Sequence, residues 1–418
     1  MSRPERPLRI AMLTHSVNPR GGVVHALELG EALQREGHRV TAIAAAHPGQ
    51  SFFRDVACSA ELAPTARPVE GASLVESVGL RIDAVTRHLR ALVSRQPFDV
   101  FHAQDSITGN ALASLVEEGS IKGFVRTVHH LDDFADPQLA AWQRRAHESA
   151  EQVFCVSQLW CDQMRIDHAV DAALVHNGVN LARYGAQPHP ADQQVAGRYG
   201  LRSGSPMVLL VGGIEERKNA VGVLRAFRLL RRVHRHAQLV IAGGATLLDH
   251  DAYGRQWRAE MARSGLQQGI GRDVVVTGAV DDAAMPALYR LADVLAMPSM
   301  REGFGLAAIE ALASGTPVVV SRIAPFTEYL ADDDVAWADP VSAESIAEGL
   351  RSALKGRGER QIASAASLCQ RFNWAASAAR HAGLYRQHAD RLKPGATISR
   401  PHLTTPSSES SRATASGI

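Results

Sequence analysis

Short apolar runs rich in Val, Ile and Leu alternate along this chain with longer segments of helical period, and after a break the rhythm starts again. A strand covered by helices on both faces reads as a continuous apolar run, whereas a half-solvated strand alternates. The runs LRIAML (8–13), RVTAIA (39–44), FDVFHA (98–103), GFVRTVH (123–129) and QVFCVS (152–157) form the first series. The second begins after RSGSP (202–206) and comprises MVLLVG (207–212), QLVIAG (238–243), DVVVTG (273–278), DVLAMP (293–298) and PVVVS (317–321). Strands separated by helices imply parallel sheets. The expected fold is therefore α/β, with two doubly wound, Rossmann-like parallel-sheet domains facing across a cleft.

A length of 418 residues fits two such domains. The stretch VHNGVNLARYGAQPHPADQQ (175–194) carries Gly and Pro with little periodicity and is expected to hold the linker. The expected division is a first domain over 1–180, a second over 181–370, a helix over 371–393 packing back toward the first domain, and a tail over 394–418. In that tail ten of 25 residues are Ser or Thr, so it has little to bury and is expected to be disordered. Phe372, Trp374 and Tyr385, in the helical stretch from about Glu359 to Arg391, are expected to be packing residues.

Charge and cysteine content exclude several classes. A net charge of +2 leaves no global field to gather nucleic acid, and gives no support for association with a membrane surface. Cys58, Cys155, Cys161 and Cys369 form no CxxC pair and no zinc-like cluster, so neither a disulfide framework nor a structural metal is expected. LRIAML is too short for a secretory signal core, and no run reaches the roughly 18 apolar residues of a membrane helix. A cytoplasmic location with reduced thiols follows as the expectation.

Three segments carry groups suited to an anionic ligand. After the first strand, Gly21 and Gly22 would allow close backbone approach at a helix start, where free N–H groups and the dipole favour a negative charge. The pair alone equally suits a tight turn, and a GxGxxG fingerprint with its acidic partner is missing. Arg217 and Lys218, in VGGIEERKN, fall between a strand and a helix, where two cations could meet a diphosphate. In MPSMREGFGLAAIEALASGTPVVVS, Glu302 follows a strand, GFG can bring main-chain amides close to a ligand, and Glu310 falls on the second turn of a helix. Eight helical steps span about 12 Å, so the two acids suit opposite ends of an extended ligand better than a shared proton or metal.

The EGFGLAAIE segment is an E-x7-E element flanked by PS and EALASGTPVV. Together with GGIEERKN, NGVN in the linker and the GG turn, it resembles the GT-B family 4 of retaining, nucleotide-sugar-dependent glycosyltransferases over nearly all of residues 8–390. The resemblance implies that Arg217 and Lys218 neutralise the donor diphosphate, that Glu310 accepts hydrogen bonds from the nucleotide ribose, and that Glu302 lies near the donor sugar hydroxyls. It further implies that amides around Phe304, Gly305 and Leu306 face the sugar and phosphates, and that His129 reaches toward the transferred sugar. Gly21 and Gly22 would approach the phosphates from the opposite wall. Gly213 stands where many members carry Arg, and His130 where they often carry Asp.

The implied reaction is sugar transfer from a nucleoside diphosphate sugar to an acceptor hydroxyl, with retention and without a metal or other cofactor. No His and carboxylate cage is legible in the sequence. A sugar-nucleotide epimerase of the same architecture and a non-catalytic nucleotide- or glycan-binding protein are the alternative readings. The nucleotide, the sugar and the acceptor are not legible.

Overall fold

A computed structural model describes residues 6–393 apart from 68, 70 and 244–250. The first domain runs β1 (Arg9–Thr14), α1 (Gly21–Arg35), β2 (Arg39–Ala46), β3 (Ser59–Pro64), α2 (Leu74–Arg95), β4 (Val100–Ala103), α3 (Ser106–Glu117), β5 (Val125–Val128), α4 (Pro137–Glu148), β6 (Gln152–Cys155), α5 (Gln158–His168) and β7 (Ala173–Leu174). The second runs α6 (Pro190–Tyr199), β8 (Met207–Val211), α7 (Ala220–Leu230), β9 (Gln238–Ala242), α8 (Asp251–Ser264), β10 (Val274–Val276), α9 (Met285–Leu291), β11 (Val294–Met297), α10 (Leu306–Ala313), β12 (Val318–Ser321), α11 (Phe326–Tyr329), β13 (Ala336–Ala338), α12 (Ala343–Ser352) and α13 (Gly358–Arg371). A last helix, α14 (Trp374–Arg391), closes the described chain.

Both sheets are parallel throughout, in the orders β3-β2-β1-β4-β5-β6-β7 and β10-β9-β8-β11-β12-β13. Each of the ten apolar runs supplies a strand, and the central ones are buried along their whole length, as helices on both faces require. Three strands have no such run. SAELAP forms the half-exposed edge strand β3, while the edge strands β7 and β13 are two and three residues long.

The linker is shorter than expected, because its last part is helical. Pro190 stands at the first turn of α6, where a missing N–H costs nothing, and His189 with Asp192 forms a reciprocal cap. The helical stretch toward the carboxyl end is likewise two helices, broken at Phe372 and Asn373, with Asn373 capping α14. α14 lies on the first domain: Trp374, Ala378, Ala382, Leu384 and Tyr385 share a core with Ile10, Met12, Leu29 and Phe154. Val179 pairs with Asn373 where the linker meets this return. The four cysteines are buried and unbridged. The expected tail lies outside the described residues, and among those described no helix is long and apolar enough to cross a membrane.

Candidate active site

Strand order reverses between β1 and β4 in one sheet and between β8 and β11 in the other. Loops leaving adjacent strands diverge at such a point and open a crevice at the carboxyl ends. Here the two crevices face one another and line a cleft of ≈ 1390 Å³.

On the second-domain wall, Gly212 follows β8 with φ 120°, and the stem of Lys218 lies against it. A Cβ there would sit 2.9 Å from Lys218 Cε, so glycine is required by both conformation and space. Asn219, the N-cap of α7, donates from its amide to the carbonyls of Pro298 and Pro340, which ties this loop to the one leaving β11. The consequence is an ionic cluster. Lys218 Nζ is 2.5 Å from Glu302 Oε2, and Arg217 Nη1 is 3.0 Å from Glu302 Oε1. The Gly303 N–H also donates to Oε1, and Ser299 Oγ lies 3.4 Å from Oε2.

Lys218 and Glu302 are each 8 % exposed. Burial alone would push the Glu302 carboxyl up, but Lys218 and Arg217 outweigh it and hold it at about 2. Burial lowers the Lys218 ammonium, with Glu302 opposing. The proton therefore stays on lysine. Glu302 is thus engaged with the two cations rather than open toward a ligand, a pairing the sequence did not indicate.

Glu310 falls on the second turn of α10 and accepts a hydrogen bond from the Tyr289 hydroxyl at 2.8 Å. Burial raises its carboxyl above the ordinary value. Gly305, with φ 97°, is the N-cap of α10 and supplies no side chain, so the first-turn N–H groups of Leu306 and Ala307 are left toward the cleft. The ring of Phe304 is turned into the core, stacked on Tyr329 at 4.8 Å, so only its main chain serves the cleft. Gly212 lines the cleft and Gly213 does not, although the N–H groups of both donate to the Ala242 carbonyl.

On the first-domain wall, Gly21 and Gly22 open α1, whose N-cap Arg20 makes no side-chain bond to the helix. His129 follows β5 and packs on Gly22, where a Cβ would sit 3.2 Å from the imidazole Cδ2. Its Nε2–H donates to Gln104 Oε1 at 2.9 Å, which leaves Nδ1 as the lone-pair nitrogen. Burial, with His25, His130 and Arg126 nearby, lowers the imidazole well below its ordinary value, so it is neutral at physiological pH. His130 is half-exposed, with Nε2 3.6 Å from Asp132 Oδ1.

The two walls meet directly. Gly303 lies so close to the His129 carbonyl that an added Cβ would be 2.2 Å from its oxygen. Trp160 Nε1 donates to the Glu302 carbonyl at 3.2 Å. Glu328 accepts from the Gln158 and Leu159 N–H groups at 2.8 Å each, capping α5 across the cleft where Ser157 does not. Gln104, Tyr289 and Glu328 were missed in the sequence, and so was Arg126, although an arginine inside the apolar strand GFVRTVH is a visible signal. Among the described residues no group of three His, Cys, Asp or Glu is placed to hold a metal ion.

Residues 193–367 match Glycosyl transferases group 1, and residues 19–183 match Glycosyltransferase Family 4. The chain belongs to the group 1 glycosyltransferases. It is therefore a sugar-transferring enzyme, and its two facing parallel sheets are the GT-B fold. The D-inositol 3-phosphate glycosyltransferase of Xylanimonas cellulosilytica is 28 % identical over 92 % of this chain and 97 % of its own length. The phosphatidyl-myo-inositol mannosyltransferase of Mycobacterium leprae is 27 % identical over 90 % of this glycosyltransferase and 96 % of its own length. Anabaena Alr3699/HepE, solved in complex with UDP and glucose, shares the fold with a TM-score of 0.70 at 18 % identity, covering 91 % of this chain and 99 % of its own.

Proposed function

We propose that this glycosyltransferase moves a sugar from a nucleoside diphosphate sugar to an acceptor hydroxyl, with retention at the anomeric carbon and without a metal. The observation that carries this reading is the buried cluster of Arg217, Lys218 and Glu302 beside the uncapped start of α10. Arg217 is also 3.6 Å from Glu215, itself 3.7 Å from Arg20, so three cations against two carboxylates leave one positive charge. Fixed charges and aligned N–H groups can stabilise the diphosphate as the glycosidic bond breaks, most effectively where water is excluded. The relation of HepE to UDP and glucose supports a nucleotide-sugar donor.

Glu302 is an orienting group in this scheme. Its oxygens already accept from Arg217, Lys218 and Gly303, so it offers a poor nucleophile. No protein nucleophile is assigned, and the leaving phosphate assists deprotonation of the acceptor on the face it departs from. His129, neutral and held by Gln104, reaches the transferred sugar from the opposite wall, while Glu310 holds the ribose. Thermal-shift titration with UDP, GDP, ADP and their sugars tests the donor class, since a ligand of the folded state raises its apparent stability. Failure of all of them to stabilise the chain would remove the reading. The anomeric configuration of the product, read by NMR, tests retention.

Glu310→Ala is expected to weaken nucleotide binding by about tenfold or more, the scale of a hydrogen bond to a charged group. Turnover at saturating donor should stay within a few-fold of the parent. Calorimetry and initial rates separate the two, and unchanged affinity would take Glu310 out of the ribose site. Gln104→Glu is expected to move the acidic limb of the pH–rate profile toward neutrality. A carboxylate beside His129 favours imidazolium and so raises a pKa that burial now depresses. Activity needing the neutral ring is then lost at a higher pH on acidification. A profile identical to that of the parent would dissociate His129 from the reaction.

A further inference from the structure

His129 stands at the end of a chain of buried polar groups that begins on the last helix. His102 and Gln104 alternate along β4 and its continuation, Thr127 and His129 along β5 and its continuation, and Met12 of β1 lies opposite His102 in the register. Residues two apart on a strand share a face of the sheet. They therefore lie on the face that α1 and α14 cover, where Met12, Val125 and Phe154 share a core with Tyr385.

Tyr385 Oη lies 2.6 Å from His102 Nδ1, and Thr127 Oγ1 lies 2.7 Å from His102 Nε2. Burial lowers the His102 imidazole well below its ordinary value, so the ring is neutral, and one nitrogen donates while the other accepts. The two hydroxyls satisfy it in full. The buried Gln104 amide rests on this ring, with Nε2 at 3.2 Å from His102 Nε2, 3.3 Å from His102 Nδ1 and 3.0 Å from Met12 Sδ. Near-equal distances to both ring nitrogens place the amide over the ring face rather than in line with either lone pair. An amide N–H is attracted to an electron-rich ring and to sulfur, whereas an amide oxygen there would be repelled. The oxygen is thereby turned outward, where it accepts from His129 Nε2–H at 2.9 Å.

The proton of His129 is thus assigned by groups that lie away from the cleft. With the amide reversed, its NH2 would donate to His129 Nε2 and the ring proton would move to Nδ1, exchanging the donor and acceptor nitrogens. We infer that His102, locked by Tyr385 and Thr127, is a positioning residue that fixes the Gln104 amide and, through it, the tautomer of His129. This rests on the transferase reading above and adds to the transfer step a group of residues reaching back to α14.

The test reads the ring and the rate separately, in the full chain. Nitrogen NMR distinguishes an N–H nitrogen from a lone-pair nitrogen, and the His129 signals are those lost in His129→Asn. The parent is expected to carry the proton on Nε2. Tyr385→Phe and Thr127→Val each leave one His102 nitrogen unpaired. Both are expected to populate the Nδ1–H form of His129 and to lower turnover at saturating donor by about tenfold, the weight of one buried hydrogen bond. Affinity for the nucleoside diphosphate should stay within a few-fold of the parent. His102→Leu is expected to show the larger change in both readouts, and were it to misfold, the two hydroxyl variants decide.

A double-mutant cycle separates positioning from packing. Because Tyr385 acts through the amide, Tyr385→Phe is expected to cost no further turnover once Gln104→Ala is in place. Losses that multiply in the double variant overturn the inference, and so does a His129 ring that keeps its proton on Nε2 in both hydroxyl variants. A changed tautomer with parent-like turnover would uphold the inference and count instead against the place of His129 in the reaction.

Discussion

Lys218→Ala is expected to lower turnover at saturating donor by about 10²- to 10³-fold, the scale on which one fixed donor at a developing anion is felt. The ammonium is buried, its stem is held over Gly212, and its Nζ is 2.5 Å from Glu302. Removing it changes two things at once. The diphosphate loses a cation, and the Glu302 carboxylate, now balanced by Arg217 and one N–H, presents more negative charge to an anionic leaving group. Turnover within a few-fold of the parent would show that the cluster is structural.

The same substitution has a stability signature with a definite sign. Glu302 titrates at about 2 in the fold against an ordinary 4.5, so its ionised form contributes stability above about pH 4.5, and that contribution is lost as the pH falls toward 2. Without Lys218 the folded-state value rises and the contribution shrinks. The gap in melting temperature between parent and variant should be widest near neutrality and close on acidification. A gap that widens toward low pH would contradict the ion pair.

These residues also show where sequence reasoning reaches its limit. The central strands were legible because burial on both faces writes itself as uninterrupted Val, Ile and Leu. SAELAP was not, because a half-exposed edge strand carries no such run. Pro190 was taken as a loop signal although its fixed backbone suits the first turn of α6. In the site, Arg217, Lys218, Glu302 and Glu310 could each be assigned to a strand end or a helix turn. The pairing of Glu302 with cations 84 and 85 residues earlier could not. It depends on β8 lying beside β11, with Val208 opposite Val294, an adjacency set by the order of strands in the sheet. Glu328 capping α5 across the cleft depends on both sheets and on their docking, and no local pattern encodes it.

That docking is the subject of the second large effect. Gly303→Ala is expected to cut turnover by about 100-fold while nucleotide affinity stays close to that of the parent, since a displacement of about 1 Å at a reacting centre can cost that much. The new methyl would meet the His129 carbonyl oxygen at 2.2 Å, a main-chain atom of the other domain that no rotamer can move. Gly303, unlike Gly305, is not among the glycines with positive φ, so alanine should be accommodated by its own backbone and the cost falls on the interface. The walls must then separate. That carries His129 and the α1 amides away from a donor held by Arg217, Lys218 and Glu310, and it loosens the Trp160 bond to Glu302 and the Glu328 cap. Scattering should report a wider molecule with the nucleotide bound, and initial rates the lost turnover. Parent-like rates from Gly303→Ala would mean that transfer proceeds with the walls apart, and that His129 contributes nothing from where it stands.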